Sequence, residues 1–400
     1  MTFKDFFQRY DKTKKRLFGG LSLGNGQSIF PVAESSGMLV STDAAFKLTA
    51  FNAGVRIIAE NIASLPKYVK KNTSKGYVDD SNNPIYSVIN IKPNAYTNVF
   101  NFWKCIVTWI KGWGNAYAII KRDKEGNVIE LYQVHPSCVN VKMINGKKWY
   151  RVLQSDPNLA FQNNIYKDEN ILHFFELSFN GIVGVNPVEY NAISLGKSLA
   201  TEKFAGEFYK KGGNLKAVLE SDGSMGDDQY EKFMRHFNAS KDFETPLLEY
   251  GIKYKQLAVS PIATQLISSE VLSIEDICRI LNIPPHMLAE LSHATFSNIE
   301  HQTIQFVQYS LRPIVKSIEE ELESKLINSQ RDKVEIKFSL DGLLRGDTSA
   351  RSAYYHNAIL DGYMSRNEVR ELEGLEYKDG LDDMLYPLNT GVVGKTENQE

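Results

Sequence analysis

Residues 273–322 read SIEDICRILNIPPHMLAELSHATFSNIEHQTIQFVQYSLRPIVKSIEEEL. They describe a helix, a hard stop and a second, longer helix. The first helix spans 260–283. Ser260 and Pro261 supply a cap and a first-turn proline, and Ser273 to Asp276 offers a second start in which Asp replaces the longer Glu of a capping box. Leu272, Ile277, Ile280 and Leu281 form its apolar side. Asn282 suits a left-handed terminator, since Asn tolerates positive φ. Pro284 and Pro285 then forbid continuation. From 299 to 327, Ile304, Val307, Leu311, Ile314, Ile318, Leu322 and Leu326 keep one stripe over roughly 43 Å. Pro313 has no N–H, so the carbonyl of Tyr309 loses its helical donor and a kink is expected there.

Upstream, 187–211 reads as a helix with Pro187 in its first turn. Its interior holds small residues, Ala192, Ser194, Gly196, Ser198, Ala200, Ala205 and Gly206. The Gly and Ser among them hold a lone helix poorly, while all of them allow close neighbours. Between the two helices, 214–259 reads as a small α/β unit. KAVLE, PLLEY and IKYKQLAV are its strands, and DDQYEKFMRHFNAS is an amphipathic helix with Asp227 and Asp228 in its first turn, where the helix dipole favours them.

Earlier still, 42–66 reads as a helix capped by Thr42 or Asp43, with Phe51, Val55, Ile58 and Ile62 facing a core and Pro66 as its stop. A second helix covers 97–112, with Phe100, Trp103, Val107 and Ile110 on one side. Over 115–176 the period falls to two. AYAIIKR and VIELYQV flank a turn at Gly126, VNVKMI and KKWYRVL flank Asn145-Gly146, and ILHFF adds a strand, so the region is mainly antiparallel sheet. Downstream, VEIKFSL alternates Val334, Ile336, Phe338 and Leu340. Two short helices follow, the second opened by a capping box from Ser365 to Glu368. Residues 1–41 read either as a frayed terminal helix or as an arm that docks on a partner subunit. The polar tail 387–400 is expected to be disordered.

Composition narrows the function. The 400 residues carry 46 basic and 48 acidic side chains, a net charge of −2. That balance argues against a tight duplex binder, though not against a protein that DNA slides past. Cys105, Cys138 and Cys278 offer no disulfide framework or metal pair and fit a reducing compartment. No apolar run reaches the ~20 residues needed to span a bilayer, and no signal peptide is expected, so no membrane partner is expected either.

Enzyme motifs fail on inspection. Leu195-Gly-Lys-Ser198 ends like a phosphate loop, but Asn191 stands where that motif needs glycine, and the segment lies inside a helix pattern. Gly20-Leu-Ser-Leu-Gly24 matches a nucleophile elbow by letters, yet follows a basic tail rather than a buried strand. His286, His293 and His301 lack the i, i+4 spacing of helical zinc ligands, even with Glu290 and Glu300 nearby. Arg345-Gly346-Asp347 reads as a turn before a helix start at Asp347-Thr348. No catalytic residue, metal or cofactor is expected.

Several stretches together resemble the portal proteins of tailed bacteriophages, in the compact class paired with the common phage capsid shell. FNAGVRIIAENIASLP resembles the family's first helix. KPNAYTNVFNFWKCIVTWIKGWGNAYAII resembles its Pro-Asn turn, helix and following strand. PVEYNAISLGKSLATEKFAGEFYKKGG resembles its first stem helix. The opening run carries Ile-Pro-Pro-His, Ser-Asn-Ile-Glu-His-Gln and Leu-Arg-Pro in family order. The likeness covers about 45–345. Asn282 departs from it, standing where the family usually has glycine.

The resemblance implies an α+β portal-type fold with long stem and wing helices, an antiparallel wing sheet, a small α/β clip and a helical crown. Its expected divisions are an arm at 1–41, wing at 42–186, stem helices at 187–213 and 260–283, clip at 214–259, tunnel loop at 284–298, wing helix and strand at 299–346, crown at 347–386 and the tail. It implies a ring of about twelve copies at a capsid vertex of the virion, assembled in the host bacterial cytoplasm. Double-stranded DNA would pass through it without base readout, and terminase, major capsid protein and a neck or adaptor protein would be its partners. Twelve copies at −2 each carry −24, which suits a conduit that does not grip phosphates. A stem helix of ~37 Å would match a DNA turn of ~34 Å. On this reading His286, Glu290, Ser292, His293, Thr295 and Ser297 meet DNA. Lys203, Lys210 and Lys211 are candidate phosphate contacts, or equally solvated or ring-interface charges. Asp227, Asp228, Glu231 and Arg235 face the motor and adaptor. The alternatives are a phage DNA-processing hydrolase and another ring-forming neck or adaptor protein.

Overall fold

A computed structural model of the chain describes residues 33–35, 38–73, 76–153, 164–210, 217–220, 226–239, 253–256, 260–289, 296–327, 334–344 and 348–385. Strands β1 (Ala33–Ser35) and β2 (Met38–Val40) form a short antiparallel hairpin. The helix expected over 42–66 is two helices, α1 (Thr42–Ala45) and α2 (Thr49–Ser64). Ser41 caps the first, its hydroxyl accepting from the Ala44 N–H at 3.1 Å, where Thr42 or Asp43 was expected. The break places Leu48 in extended backbone with its side chain buried. Phe51, Val55, Ile58 and Ile62 are all buried, as their spacing requires.

Three elements then appear that the sequence reading did not anticipate: β3 (Lys67–Thr73), β4 (Gly76–Asp79) and α3 (Pro84–Asn90). Lysines disguise β3. Lys67 is buried, its Nζ donating to the carbonyls of Ala63 and Leu65 at 3.1 and 2.7 Å. Burial draws that ammonium down to about 8.

Helix α4 (Val99–Trp113) fills the expected place, but Phe100 is exposed, lying near the Lys104 ammonium. Phe102 and Ile106 join Trp103, Val107 and Ile110 inside instead. Both expected hairpins form, β5 (Asn115–Arg122) with β6 (Val128–Val134), and β7 (Val139–Ile144) with β8 (Lys147–Val152). Asn145 and Gly146 take φ of 51° and 74°, the pair of left-handed residues a type I′ turn needs. With β9 (Asn164–Lys167) and β10 (Ile171–Phe175) they build two antiparallel sheets, ordered β10-β5-β6 and β7-β8-β9.

The helix expected at 187–211 breaks at Asn191 into α5 (Pro187–Tyr190) and α6 (Ala192–Lys210). The Asn191 amide donates back to the Pro187 carbonyl at 2.9 Å, and α6 alone rises about 28 Å rather than 37. Strand β11 (Ala217–Glu220), α7 (Asp227–Ala239) and β12 (Lys253–Gln256) follow, with β11 antiparallel to β12. The strand expected from PLLEY lies outside the described residues. Helix α8 (Ser260–Leu281) runs unbroken through Ser273 for about 33 Å. It lies alongside α6, which also carries the β1–β2 hairpin.

The long helix expected at 299–327 comes in three parts, α9 (Phe296–Gln305), a π-helical turn at Phe306–Leu311 and α10 (Arg312–Leu326). Ile304 drops out of the stripe and is exposed, whereas Val307, Leu311, Ile314, Ile318, Leu322 and Leu326 are buried. Strand β13 (Val334–Phe338) pairs antiparallel with β3, burying Ile336 and Phe338. Then come α11 (Asp341–Leu344), α12 (Thr348–Leu360) and α13 (Arg366–Leu372), three helices where two were expected. The capping box at Ser365 and Glu368 is complete.

One main core unites α2, α4, α10, β5, β10 and β13. Trp103 sits at its centre, edge-on to Phe102, Phe174 and Phe338, and its indole donates to the Ile89 carbonyl. A smaller core lies under Tyr117, Val134, Tyr150 and Ile171.

Candidate functional site

The segment from 281 to 289 is a turn seated on the main core. Asn282 takes φ 58°, and the Ile283 N–H bonds the Cys278 carbonyl at 2.9 Å. This is the long-range bond of a Schellman helix end, so the left-handed terminator forms as the sequence predicts. Leu281 and Ile283 are buried against α2, where Gly54 makes room: a Cβ there would stand 2.5 Å from a Leu281 methyl. Pro284 and Pro285 lead into a single 3₁₀ turn, Pro285–Leu288, and Met287 and Leu288 rest on the core.

Across this turn stands the helix that returns from 296. His286 Nδ1 lies 2.8 Å from Gln302 Oε1. The Asn282 amide donates to the Tyr309 carbonyl at 3.0 Å, and the Ser310 hydroxyl donates to the Asn282 carbonyl. The sequence reading identified the carbonyl of Tyr309 as lacking a donor because of Pro313. Asn282 as the replacement donor was not foreseen, and the distortion expected at Pro313 takes the form of a π turn over Phe306–Leu311. No local signal links 282 to 309; only the folded turn brings them together.

The other site residues remain on separate elements. His286 is half-buried in the turn, and Ser297 is in the first turn of α9. Glu290, Ser292, His293 and Thr295 lie outside the described residues. Lys203 and Lys210 are exposed on α6, and Lys211 lies outside the described residues. Asp227, Asp228, Glu231 and Arg235 are exposed on α7, with Glu231 and Arg235 one turn apart at 3.5 Å.

Among the described residues, a buried polar cluster is the nearest thing to an enzyme-like constellation. The Tyr150 hydroxyl meets Asp168 at 3.0 Å and His173 Nδ1 at 3.3 Å, and His173 Nε2 meets the Asn115 oxygen at 3.0 Å. Because that oxygen only accepts, Nε2 carries a proton. Lys325 pairs with Glu321 at 2.7 Å and Asp168 at 3.0 Å and donates to the Ile171 carbonyl. Glu321 in turn accepts the His173 backbone N–H. Burial, with Lys148 and Lys325 nearby, holds His173 well below its ordinary range, and burial pushes the Tyr150 phenol far up. A general base and a nucleophile need access and the opposite tuning. This cluster fastens α10 to β8 and β10. Among the described residues, no three His, Cys, Asp or Glu side chains gather as a metal would require, and no helix is long and apolar enough to cross a membrane.

Comparison with known proteins matches residues 49–374 to the family model for phage portal protein. The chain is 27% identical over 339 residues to the portal protein of Enterobacteria phage HK97, covering 82% of this chain and 78% of that one. It is 27% identical over 380 residues to the probable portal protein of Streptomyces phage phiC31, covering 90% and 82%. Among solved structures, an HK97-family phage portal protein from Corynebacterium diphtheriae shares the fold with a TM-score of 0.56 at 13% identity, over 76% of this chain and 96% of that one. A chain in the neck of a native gene transfer agent particle, computed with C12 symmetry, does so at 0.57 and 16%, over 89% and 97%.

Proposed function

The chain belongs to the phage portal protein family, and from that premise we propose that twelve copies close into a ring at one capsid vertex. Double-stranded DNA passes through the ring during packaging and again at ejection. The ring does no bond-breaking chemistry. It is a docking platform, seated in the capsid shell, for the terminase and then for a neck or adaptor protein. In this reading α6 and α8 are the stem, 214–259 the clip, 284–298 the tunnel loop, α9 and α10 the wing helix, and α12 and α13 the crown. The tunnel-loop residues His286, Glu290, Ser292, His293, Thr295 and Ser297 face the duplex. Lys203, Lys210 and Lys211 meet phosphates sparingly. Asp227, Asp228, Glu231 and Arg235 meet the motor and adaptor.

The geometric observation that carries the ring is exposed apolar surface where the proposed stem begins. Leu177, Phe179, Tyr190 and Ile193 are 55, 70, 65 and 80% exposed, and the rings of Phe179 and Tyr190 lie 5.6 Å apart. Large apolar side chains this exposed, two of them with their rings in contact, mark a contact surface. A copy of the same chain, bound head to tail, would cover it at every step of a closed ring. The inaccessible His173–Tyr150 cluster supports the non-enzymatic reading over the hydrolase alternative.

Negative-stain images of the purified full chain test this directly, and rings with a central hole wide enough for a duplex are expected. A compact monomer that cleaves plasmid DNA with a divalent metal would overturn it. The loop assignment has its own test: replacing His293 and Thr295 by Ala is expected to lower the DNA held in filled heads.

A further inference from the structure

Asn282 does more than end a helix. Its left-handed backbone closes α8, a task glycine would perform as well. Its side chain then bridges 27 positions to donate to the Tyr309 carbonyl, while Ser310 donates back to the Asn282 carbonyl. The Tyr309 carbonyl is the acceptor that Pro313, four residues on, cannot serve. The helix widens here: the Arg312 N–H bonds Val307, five residues back, and Ser310 is buried beside the turn. One helical turn or more away, His286 and Gln302 make a third link at 2.8 Å. These contacts tie 282–286 to 302–310, on either side of the connection 290–295.

We propose that Asn282 is a positioning residue. With Ser310 it latches the end of α8 onto the π turn and fixes where both ends of that connection stand against the body of the protein. The proposal rests on reading 284–298 as the segment that meets DNA. A segment pushed along the axis by a moving duplex transmits force only through its base. Here the base is bonded to a helix whose next turns, at Leu311, Ile314 and Ile318, are anchored in the main core. The π turn is the local distortion that presents Ser310 and the Tyr309 carbonyl to Asn282, and π turns of this sort gather at working sites.

The test uses the full chain and three variants. Asn282→Gly keeps the left-handed turn and loses the side chain. Asn282→Asp keeps the turn and the size but offers a carboxylate that cannot donate to a carbonyl. Ser310→Ala removes the reciprocal bond. Hydrogen exchange of the assembled protein is expected to quicken on the order of three- to tenfold over 283–289 and 306–314 in each, since one hydrogen bond is worth that factor in local opening. Asn282→Asp is expected not to rescue Asn282→Gly, and the combination with Ser310→Ala to be no worse than either alone, because the two bonds act as one unit. Rings are expected to form, and heads built with the variants to lose packaged DNA. Unchanged exchange in both Asn282 variants would overturn the latch while leaving the conduit reading untouched. Faster exchange with wild-type DNA retention would overturn the positioning role. If the wild-type chain formed no ring, the conduit reading and this proposal would fall together.

Discussion

Gly114 carries two constraints at once. It ends α4 at φ 75°, and a Cβ there would lie 2.0 Å from the Val185 carbonyl oxygen. Gly184, on the same passing segment, would meet the Gly114 oxygen just as closely. Gly114→Ala is therefore expected to destabilise the protein by about 3 kcal/mol or more, as backbone strain and a clash with main chain add. The midpoint of urea unfolding measures it, and a loss under 1 kcal/mol would sink the argument. The sequence shows a turn between a helix and a strand here; the approach of residue 185 is long-range and has no local mark. His173 allows a second prediction. Its folded pKa is depressed by burial and by Lys148 and Lys325 nearby, so its contribution to stability is present above about pH 6.5 and is lost as pH falls below that value. Glu189, Glu319 and Glu321 are shifted upward and act with the opposite sign. Comparison of the wild type with His173→Gln isolates the histidine: the variant is expected to show a weaker acid loss of unfolding midpoint between pH 7 and 5.

Helices ended by side-chain chemistry were legible, and helices broken by tertiary demand were not. Ser365 and Glu368 announce α13 in three letters of spacing, and the folded chain makes both bonds, Ser365 to the Glu368 N–H at 3.1 Å and Glu368 to the Ser365 N–H at 2.6 Å. Ser365→Ala is expected to cost about 1 kcal/mol and to be visible as faster hydrogen exchange confined to 365–374. A change spread over the main core would contradict a purely local cap. By contrast, the interruption at 46–48 exists because Leu48 enters the core and Phe46 stacks on Trp113 and meets Phe51 edge-on. The π turn falls where Pro313 leaves the Tyr309 carbonyl without its helical donor and Asn282, 27 positions back, supplies one. In both cases the decisive partner is remote in sequence, so periodicity runs straight through the break. Strand β3 was illegible for a different reason, since the buried lysine at its start breaks the alternation on which strand recognition depends.

A ring makes demands that a single chain displays only as unsatisfied surface. The order of the motifs from 45 to 345 made the fold family legible. The site was less so, because residues such as His286 and Lys203 carry no geometry until their elements are placed, and a conduit has no cluster of converging groups to betray it. What the folded chain adds is the apolar patch at 177–193, absent from the sequence reading because Tyr190 and Ile193 merely extend a helical pattern. If a neighbouring copy covers this patch, charges placed there should oppose closure while leaving each copy folded. Tyr190→Ser with Ile193→Asp is expected to change monomer stability by no more than about 0.5 kcal/mol, since both side chains already face water. The same pair, desolvated at every interface of the ring, would place an unpaired carboxylate against apolar surface, a penalty of several kcal/mol per step. Sedimentation velocity of the purified variant should therefore show the monomer where the wild type shows the ring, with unaltered circular dichroism. Rings formed as readily as by the wild type would mean that this patch faces something other than a neighbouring copy.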